Sequence, residues 1–329
     1  MRNRRLPSPS FDTACGTIIA PIPHADAASY HVVQLAPYFS RTRAQHGNLS
    51  IVHHMDLFLC DSSVVAPHDN QCMSTPYLSA AGPCFAMVWA YDKGALRPYS
   101  LPSDAGLRVG RGTRFTTMLL FVHYGLPYGG VSAQQLHEAG YSDSSGVRVS
   151  LARRPRSVDA WSFEFMQTNM AIPAHTPSIV TEFTSRMPAE AVEEVLGADI
   201  ALGEGAISLR QVHAHAHHHA IRVSLLRLRD GRWSTLLELS PYCGYGECQR
   251  FHNLTDADLG GAPPQLRLGD ALEFRCHFTN DEAVTLHYGL SAAMEMCGAI
   301  IVYTPHAHRY IPTWHGGNDG VQRMVGPAA

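Results

Sequence analysis

A series of short segments rich in β-branched and aromatic residues, each bounded by Gly, Pro, Asp or Ser, constrains the fold most strongly. Such segments are typical of β-strands, because branched and aromatic side chains pack well on a pleated surface. The predicted strands are 50–60, 84–91, 114–124, 147–152, 160–167, 178–184, 209–228, 233–239, 271–279 and 299–303. Arg229-Asp230-Gly231-Arg232 predicts a hairpin turn between two of them, since Asp-Gly supplies positive φ angles.

Helical signals are few. A capping-box pattern from Ser132 to Gln135 begins one candidate helix that would end at Gly140, and a second candidate runs over 188–196 with Gly197 as its stop. The sequence therefore predicts an all-β protein of two antiparallel sandwiches. The basic, proline-containing stretch 153–157 is the expected boundary between the two domains.

We accordingly expect an N-terminal domain over 1–156 and a C-terminal domain over 157–305. The remaining segment, 306–329, is polar and rich in glycine, and we expect it to be loose.

Composition and charge exclude several classes of protein. Hydrophobic residues make up 45% of the chain, which is ample for a packed core. The net charge of −3 gives no support to binding of nucleic acid or of an anionic membrane. The longest apolar runs, such as 116–122, fall far short of the roughly 18 residues that span a bilayer, so a transmembrane segment is not expected.

An even number of cysteines favours a disulfide framework in an oxidising compartment. The eight cysteines are Cys15, Cys60, Cys72, Cys84, Cys243, Cys248, Cys276 and Cys297. No C-x-x-C pair is present, which argues against structural zinc and thioredoxin-like chemistry. Asn48 and Asn253 begin glycosylation sequons. These features indicate a secreted or secretory-lumen protein. Residues 1–10 are basic and precede no apolar region, so we do not expect a signal peptide within this chain.

Histidine is unusually frequent, with 20 residues against 25 Lys and Arg, and neutral imidazole is the commonest metal ligand. Adjacent side chains on a strand point to opposite faces, so His53 and His54 face one metal only at a bulge, a strong twist or a strand end. The alternative is one buried and one exposed histidine. His123 closes an apolar strand, where a hydrogen-bonded core role is the alternative to a ligand.

The tract from His213 to His219 places alternate histidines on one face of a strand, with Cα atoms of successive members about 6.6–7 Å apart. Two imidazoles at this spacing can bind one metal ion. The alternative is a solvent-facing tract that binds metals adventitiously. Met296, within Met294-Glu295-Met296-Cys297, is an ordinary core residue unless imidazoles lie nearby, in which case its soft sulfur selects copper, Cu(I) in particular.

Four motifs in order resemble those of the copper type II, ascorbate-dependent monooxygenases, over about residues 12–303. The motifs are His53-His54-Met55 with Cys60 downstream, Val122-His123-Tyr124-Gly125, His215-Ala216-His217-His218 with Arg-Asp-Gly-Arg-Trp downstream, and Glu295-Met296-Cys297. The resemblance implies two eight-stranded, jelly-roll-like antiparallel β-sandwich domains with one copper ion on each. It implies hydroxylation of a substrate C–H bond with O₂ and a reductant such as ascorbate.

The resemblance also implies the ligands, and no catalytic side chain beyond them. His53, His54 and His123 would hold an electron-storing copper. The oxygen-activating copper would be held by His215, His217 and Met296, counted without gaps from Trp233, whereas local similarity selects His213 and His215 instead.

The implied disulfides are Cys15–Cys72, Cys60–Cys84 and Cys276–Cys297, which leaves Cys243 and Cys248 as a local pair. A bridge at Cys297 would pin the strand that presents Met296.

The expected substrate is a small molecule or a peptide, together with O₂. Peptide-amidating members of the family anchor the substrate carboxylate with Arg, Asn and Tyr, where this chain has His213, Gly298 and Ile300. Amidating specificity is therefore not expected. A copper-binding module without turnover is the alternative function that these replacements would suit.

Overall fold

The computed structural model divides into two compact units, Met1–Arg156 and Ser157–Ala329. It describes residues 4–5, 13–39, 52–63, 84–92, 94–125, 135, 138, 142–143, 145–244, 246–256, 259–289, 293–307, 314–315 and 323–327.

Two antiparallel sheets dominate the described part of the first unit. Its strands are β1 (Arg4–Arg5), β2 (Thr13–Pro21), β3 (Ser29–Tyr38), β4 (Val52–Cys60), β5 (Cys84–Asp92), β6 (Tyr99–Ser100), β7 (Ala105–Gly110), β8 (Thr117–Gly125), β9 (Ser142–Asp143) and β10 (Gly146–Ala152). One sheet has the order β2-β8-β4-β5, and the other contains β10-β3-β7 with β6 on β3. The apolar run of β8 is buried along its length, as its central place in the sheet requires.

The second unit also contains two main sheets. Its elements are β11 (Val158–Met166), β12 (Ala171–Ile172), β13 (Thr176–Met187), α1 (Ala189–Leu202), β14 (Ile207–Ala216), β15 (Ala220–Arg229), β16 (Arg232–Leu239), β17 (Phe251–Asn253), β18 (Gln265–Leu266), β19 (Ala271–Asn280), β20 (Leu286–His287), β21 (Cys297–Thr304), β22 (Trp314–His315) and β23 (Arg323–Pro327). One sheet contains β11-β21-β14-β17, and the other has the order β16-β15-β19-β13-β23.

Aromatic side chains fill the core of this second unit. Phe163 lies 5.8 Å from both Phe165 and Tyr303 between ring centroids, and Phe183 lies 5.9 Å from Phe278. All five side chains are buried. Burial of aromatic surface on this scale supplies much of the driving force that holds a β-sandwich together.

The all-β prediction is confirmed, and most predicted strands occur within a few residues of their expected bounds. The predicted hairpin is present between β15 and β16, with φ angles of 49° at Asp230 and 73° at Gly231. The single strand-like stretch predicted over 209–228 is instead two strands in different sheets, because the chain crosses between the sheets at residues 217–219. The count of eight strands per domain stays a prediction.

The second predicted helix does not stop at Gly197 but continues to Leu202. Its last turn is held by burial of Ile200 and of the Asp199 carboxylate, which accepts a hydrogen bond from the Tyr303 hydroxyl at 3.1 Å. Gly203 follows, where a Cβ atom would lie 1.9 Å from the Ala206 carbonyl oxygen. Tertiary contacts therefore override the weak stop signal of a glycine inside a helix.

Two further predicted segments are only partly included in the described residues. Of the helix predicted over 132–140, only Gln135 and Glu138 are described, and both are helical. The tail 306–329, expected to be loose, contains β22, which pairs with β11, and β23, which pairs with β13. Backbone pairing with existing strands, which its polar composition does not reveal, orders these two segments.

Three disulfides join described residues, at Cys60–Cys84, Cys243–Cys248 and Cys276–Cys297. The last connects β19 in one sheet of the second unit to β21 in the other. Cys15 lies in β2, and Cys72 lies outside the described residues, so their bond stays a prediction.

Removing the Cys276–Cys297 bond by alanine replacement of both residues is expected to lower the free energy of unfolding by about 3 kcal/mol, because the bond closes a longer loop than Cys243–Cys248. Alanine replacement of Cys243 and Cys248, as the control, is expected to cost about 2 kcal/mol. Denaturant unfolding under non-reducing conditions measures both, and a larger loss for the control pair would contradict the expectation.

Candidate metal centres

Three histidines of the first unit converge between β4 and β8. His54 is paired with His123 across the two strands, and the register shifts between Val52 and His54. This irregularity allows the neighbouring His53 and His54 rings to face one point, which a regular strand does not. The Nδ1 atom of His54 lies 3.3 Å from Nδ1 of His53 and 3.2 Å from Nδ1 of His123.

These separations suit a metal ion. Metal–nitrogen bonds of about 2.0–2.1 Å in a tetrahedral arrangement place the ligand nitrogens about 3.3 Å apart. Each of the three residues offers a ring nitrogen within 4.8 Å of the others. The arrangement therefore fits a single ion without movement of the strands.

The charge state of this cluster also suits a metal. Burial, followed by the neighbouring charge of His53, lowers the pKa of His123 to about 4. The ring is therefore neutral near pH 7, and its nitrogen lone pair is available. The carboxylate of Asp56, two residues along the strand, lies 3.7 Å from Nε2 of His54, on the side of that ring away from Nδ1.

A second group of histidines lies at the end of β14, in the second unit. His215 is on the strand, and His217 follows its last residue. Their ring centroids are 5.3 Å apart with planes at 86°, whereas the His213 and His215 rings are stacked at 6.3 Å. His213 is buried, with its ring 5.2 Å from that of Phe251.

Hydrogen bonds fix the orientation of the His215 and His217 rings. Nδ1 of His215 donates to Oε1 of Gln249 at 2.8 Å, and Nδ1 of His217 donates to the carbonyl oxygen of Met294 at 2.7 Å. In a neutral imidazole whose Nδ1 carries the proton, Nε2 is the metal-binding atom. The Gln249 amide is itself held by donation to the Ala216 carbonyl oxygen at 2.7 Å.

Met296 lies beside this pair in the backbone register. Ala216 is paired with Cys297, so Met296 falls opposite His217 one step beyond the strand ends. Met296 is buried. Two contacts flank Met296 in the chain: the hydrogen bond from His217 to the Met294 carbonyl and the Cys276–Cys297 bond. Together they hold the segment that carries the thioether next to His217.

Glu295 is the polar residue that fastens the two segments together. Its buried carboxylate accepts hydrogen bonds from the backbone amides of His217 and His219, both at 3.0 Å, and from Nδ1 of His219 at 3.0 Å. Burial raises the pKa of this carboxyl group, and the hydrogen bonds oppose that rise. The sequence alone predicts no role for Gln249 or Glu295, and the only signal for Glu295 is its position directly before Met296.

The residues that the resemblance implies in place of the amidating anchors, His213, Gly298 and Ile300, lie close together on β14 and β21. His213 is paired with Ile300, and His215 with Gly298. A Cβ atom at Gly298 would lie 3.0 Å from the Phe165 carbonyl oxygen and 3.1 Å from Cε of Met166. A side chain at this position would therefore require its neighbours, including the flexible Met166 side chain, to shift.

The fold and the two histidine clusters define an all-β protein of two units, in which His53, His54 and His123 of the first unit are placed so that they could hold a metal ion. The family model described as copper type II ascorbate-dependent monooxygenase, N-terminal domain, matches residues 1–129, and the model of the C-terminal domain matches residues 163–313. The chain belongs to this family.

Relatives of known name share about a quarter of their aligned residues with the chain. It is 27% identical over 259 residues to peptidyl-glycine alpha-amidating monooxygenase of Mus musculus, covering 78% of this chain and 22% of the relative. It is 29% identical over 161 residues to tyramine beta-hydroxylase of Caenorhabditis briggsae, covering 48% and 25%. It is 25% identical over 307 residues to DBH-like monooxygenase protein 2 of Mus musculus, covering 90% and 44%.

The chain thus spans only about a fifth of the amidating relative's length. Among the described residues, no helix is long and apolar enough to cross a membrane.

Proposed function

We propose that this protein is a copper monooxygenase that hydroxylates a substrate C–H bond with O₂ and a reductant such as ascorbate. The observation that carries the proposal is the pair His215 and His217, whose Nδ1 atoms both donate to fixed oxygens, with Met296 opposite His217 in the backbone register. Two oriented imidazoles beside a thioether form a donor set suited to Cu(I).

The proposed ligands divide between two ions. His53, His54 and His123 would hold one copper, and the second would be held by His215, His217 and Met296. Two copper ions in these positions would supply the two electrons and the O₂ activation that hydroxylation needs. The chain's own residues orient the rings of the second pair, because Gln249 and the Met294 carbonyl accept their Nδ1 protons.

The alternative is a copper-binding module without turnover. The replaced substrate anchors at His213, Gly298 and Ile300 favour it. The different donor sets of the two clusters favour the enzyme, since storage of copper does not require a thioether in one centre and only imidazoles in the other.

The substrate we propose is a small molecule or peptide that needs no carboxylate clamp. At the place of the amidating arginine stands His213, which is buried against Phe251. Such a residue lacks the bidentate fork with which arginine binds a carboxylate.

We propose a secreted or secretory-lumen location. Three disulfides in the described residues support it, because such bonds persist in oxidising compartments. Asn253, in the second sequon, is exposed at the end of β17, and Asn48, in the first, lies outside the described residues.

The proposal is tested by anaerobic Cu(I) stoichiometry followed by ascorbate-dependent O₂ uptake with a panel of candidate substrates. Two tightly bound Cu(I) per chain and uptake matched by hydroxylated product are expected. Two Cu(I) without product from any substrate would favour the module, and failure to bind copper would contradict both functions.

Replacing Gln249 with leucine is expected to weaken copper binding at the second centre about 10–100-fold, because the His215 ring loses the acceptor that fixes it. Anaerobic titration against a Cu(I) chelator measures the affinity, with thermal unfolding followed in parallel. Gln211→Leu is the matched control, since Gln211 lies on β14 but its amide donates to Asn253 and accepts no hydrogen bond from a proposed ligand that the structure shows. Equal copper affinities in the two variants would argue against the orienting role.

A further inference from the structure

We propose that His218, His219 and Glu282 form a third metal site, which takes a divalent ion such as Cu²⁺ or Zn²⁺ and is separate from both proposed copper centres. Each residue offers one ligand atom, and the three atoms lie within 4.8 Å of one another. The His218 and His219 ring centroids are 3.9 Å apart. None of the three residues belongs to the ligand sets implied by the family resemblance.

His219 is prepared as a ligand in the same way as the proposed copper ligands. Its side chain is only 7% exposed, and Nδ1 donates to the buried Glu295 carboxylate at 3.0 Å. The other nitrogen, Nε2, lies 3.9 Å from Oδ1 of Asp281 and 4.0 Å from Oε1 of Glu282. At metal sites, a histidine commonly donates one ring nitrogen to a carboxylate and directs the other towards the metal ion. In His219, Nδ1 and Nε2 are placed for these two roles.

The acidic side of the site is held by its own hydrogen bonds. The backbone amide of Glu282 donates to Oδ1 of Asn280 at 2.9 Å, and Nδ2 of Asn280 donates to the Val284 carbonyl oxygen at 2.9 Å. The backbone amide of Thr279, near the end of β19, donates to the His219 carbonyl oxygen at 3.1 Å, which ties the end of this strand to the turn that contains His218 and His219. The two halves of the site are therefore fixed relative to each other without a metal ion.

The donor set indicates the kind of ion. Two imidazoles and a carboxylate suit Zn²⁺ and Cu²⁺, with Cu²⁺ bound more tightly, whereas Cu(I) prefers a soft sulfur that this site lacks. His218 and Glu282 are exposed, so water can complete the coordination.

The test is calorimetric titration of Zn²⁺ into protein first loaded anaerobically with Cu(I) and freed of excess copper. Wild-type protein is expected to bind one Zn²⁺ that is lost, or bound at least tenfold more weakly, in His218→Asn and in Glu282→Gln. The control is His24→Asn, because His24 is exposed, lies in the other unit and belongs to none of the three clusters.

Zinc binding by His218→Asn and Glu282→Gln that matches the wild type would overturn the proposal. Because the readout is the difference between variants under one loading protocol, it does not depend on hydroxylation. Absence of Cu(I) binding would count against the proposed function, while the Zn²⁺ difference would still decide the third site.

Discussion

Replacing Met296 with isoleucine is expected to abolish hydroxylation while leaving the fold nearly intact. Isoleucine has a similar volume and apolarity, so the cost in a packed core is expected to stay under about 1.5 kcal/mol. It cannot replace the thioether, so copper binding should weaken at the second centre only. Product formation, Cu(I) affinity and thermal unfolding are measured together, because loss of activity is informative only if the protein stays folded.

Met294→Ile is the matched control for this experiment. Met294 is 42% exposed and lies in a bend, whereas Met296 is buried. Its contribution to the site is the backbone carbonyl that accepts from His217, which the substitution retains. Full activity in Met296→Ile would make core packing the better interpretation of Met296.

Replacing His123 with alanine is expected to lower the Cu(I) stoichiometry from two per chain to one and to stop turnover. His123 contributes one of three converging nitrogens, and its removal leaves two on adjacent residues of a single strand. The remaining copper, at the centre containing Met296, should still bind CO when reduced. Copper analysis and infrared spectroscopy of the CO complex are the measurements.

His31→Ala is the control for that variant, since His31 is a buried histidine of the same unit that accepts a hydrogen bond from the Arg156 amide at 2.9 Å. It should lower stability and keep both copper ions. Unchanged copper content in His123→Ala, or preference for zinc without a copper redox signal, would contradict the two-copper proposal.

The sequence predicts the strands and their turns well because the relevant signals are local. Asp230-Gly231 produces the expected hairpin, and the apolar run of β8 becomes a buried central strand. The crossing at 217–219 was missed because nothing in a histidine tract marks a change of sheet. The helix past Gly197 depends on the distant contact between Asp199 and Tyr303.

Spacing and resemblance single out the histidines, but they do not reveal how the rings are held. The register shift at His53 is a property of the paired strands, and alternation alone argued against the pair. Gln249 and Glu295 act through partners 34 and 78 residues away in the chain. The cluster of His218, His219 and Glu282 depends on a similar long-range contact, so it too appears only in the folded chain.

The pairing of β4 with β8 also has a consequence for folding kinetics. His54 and His123 are 69 residues apart in sequence, so the first histidine cluster exists only after a distant strand pairing has closed. Forming such non-local pairs before other contacts compensate is entropically unfavourable and slows folding. An ion that binds only the completed cluster stabilises the native state relative to the unfolded chain. Because the cluster forms only when β4 pairs with β8, the rate of copper binding during refolding should report the formation of this strand pair.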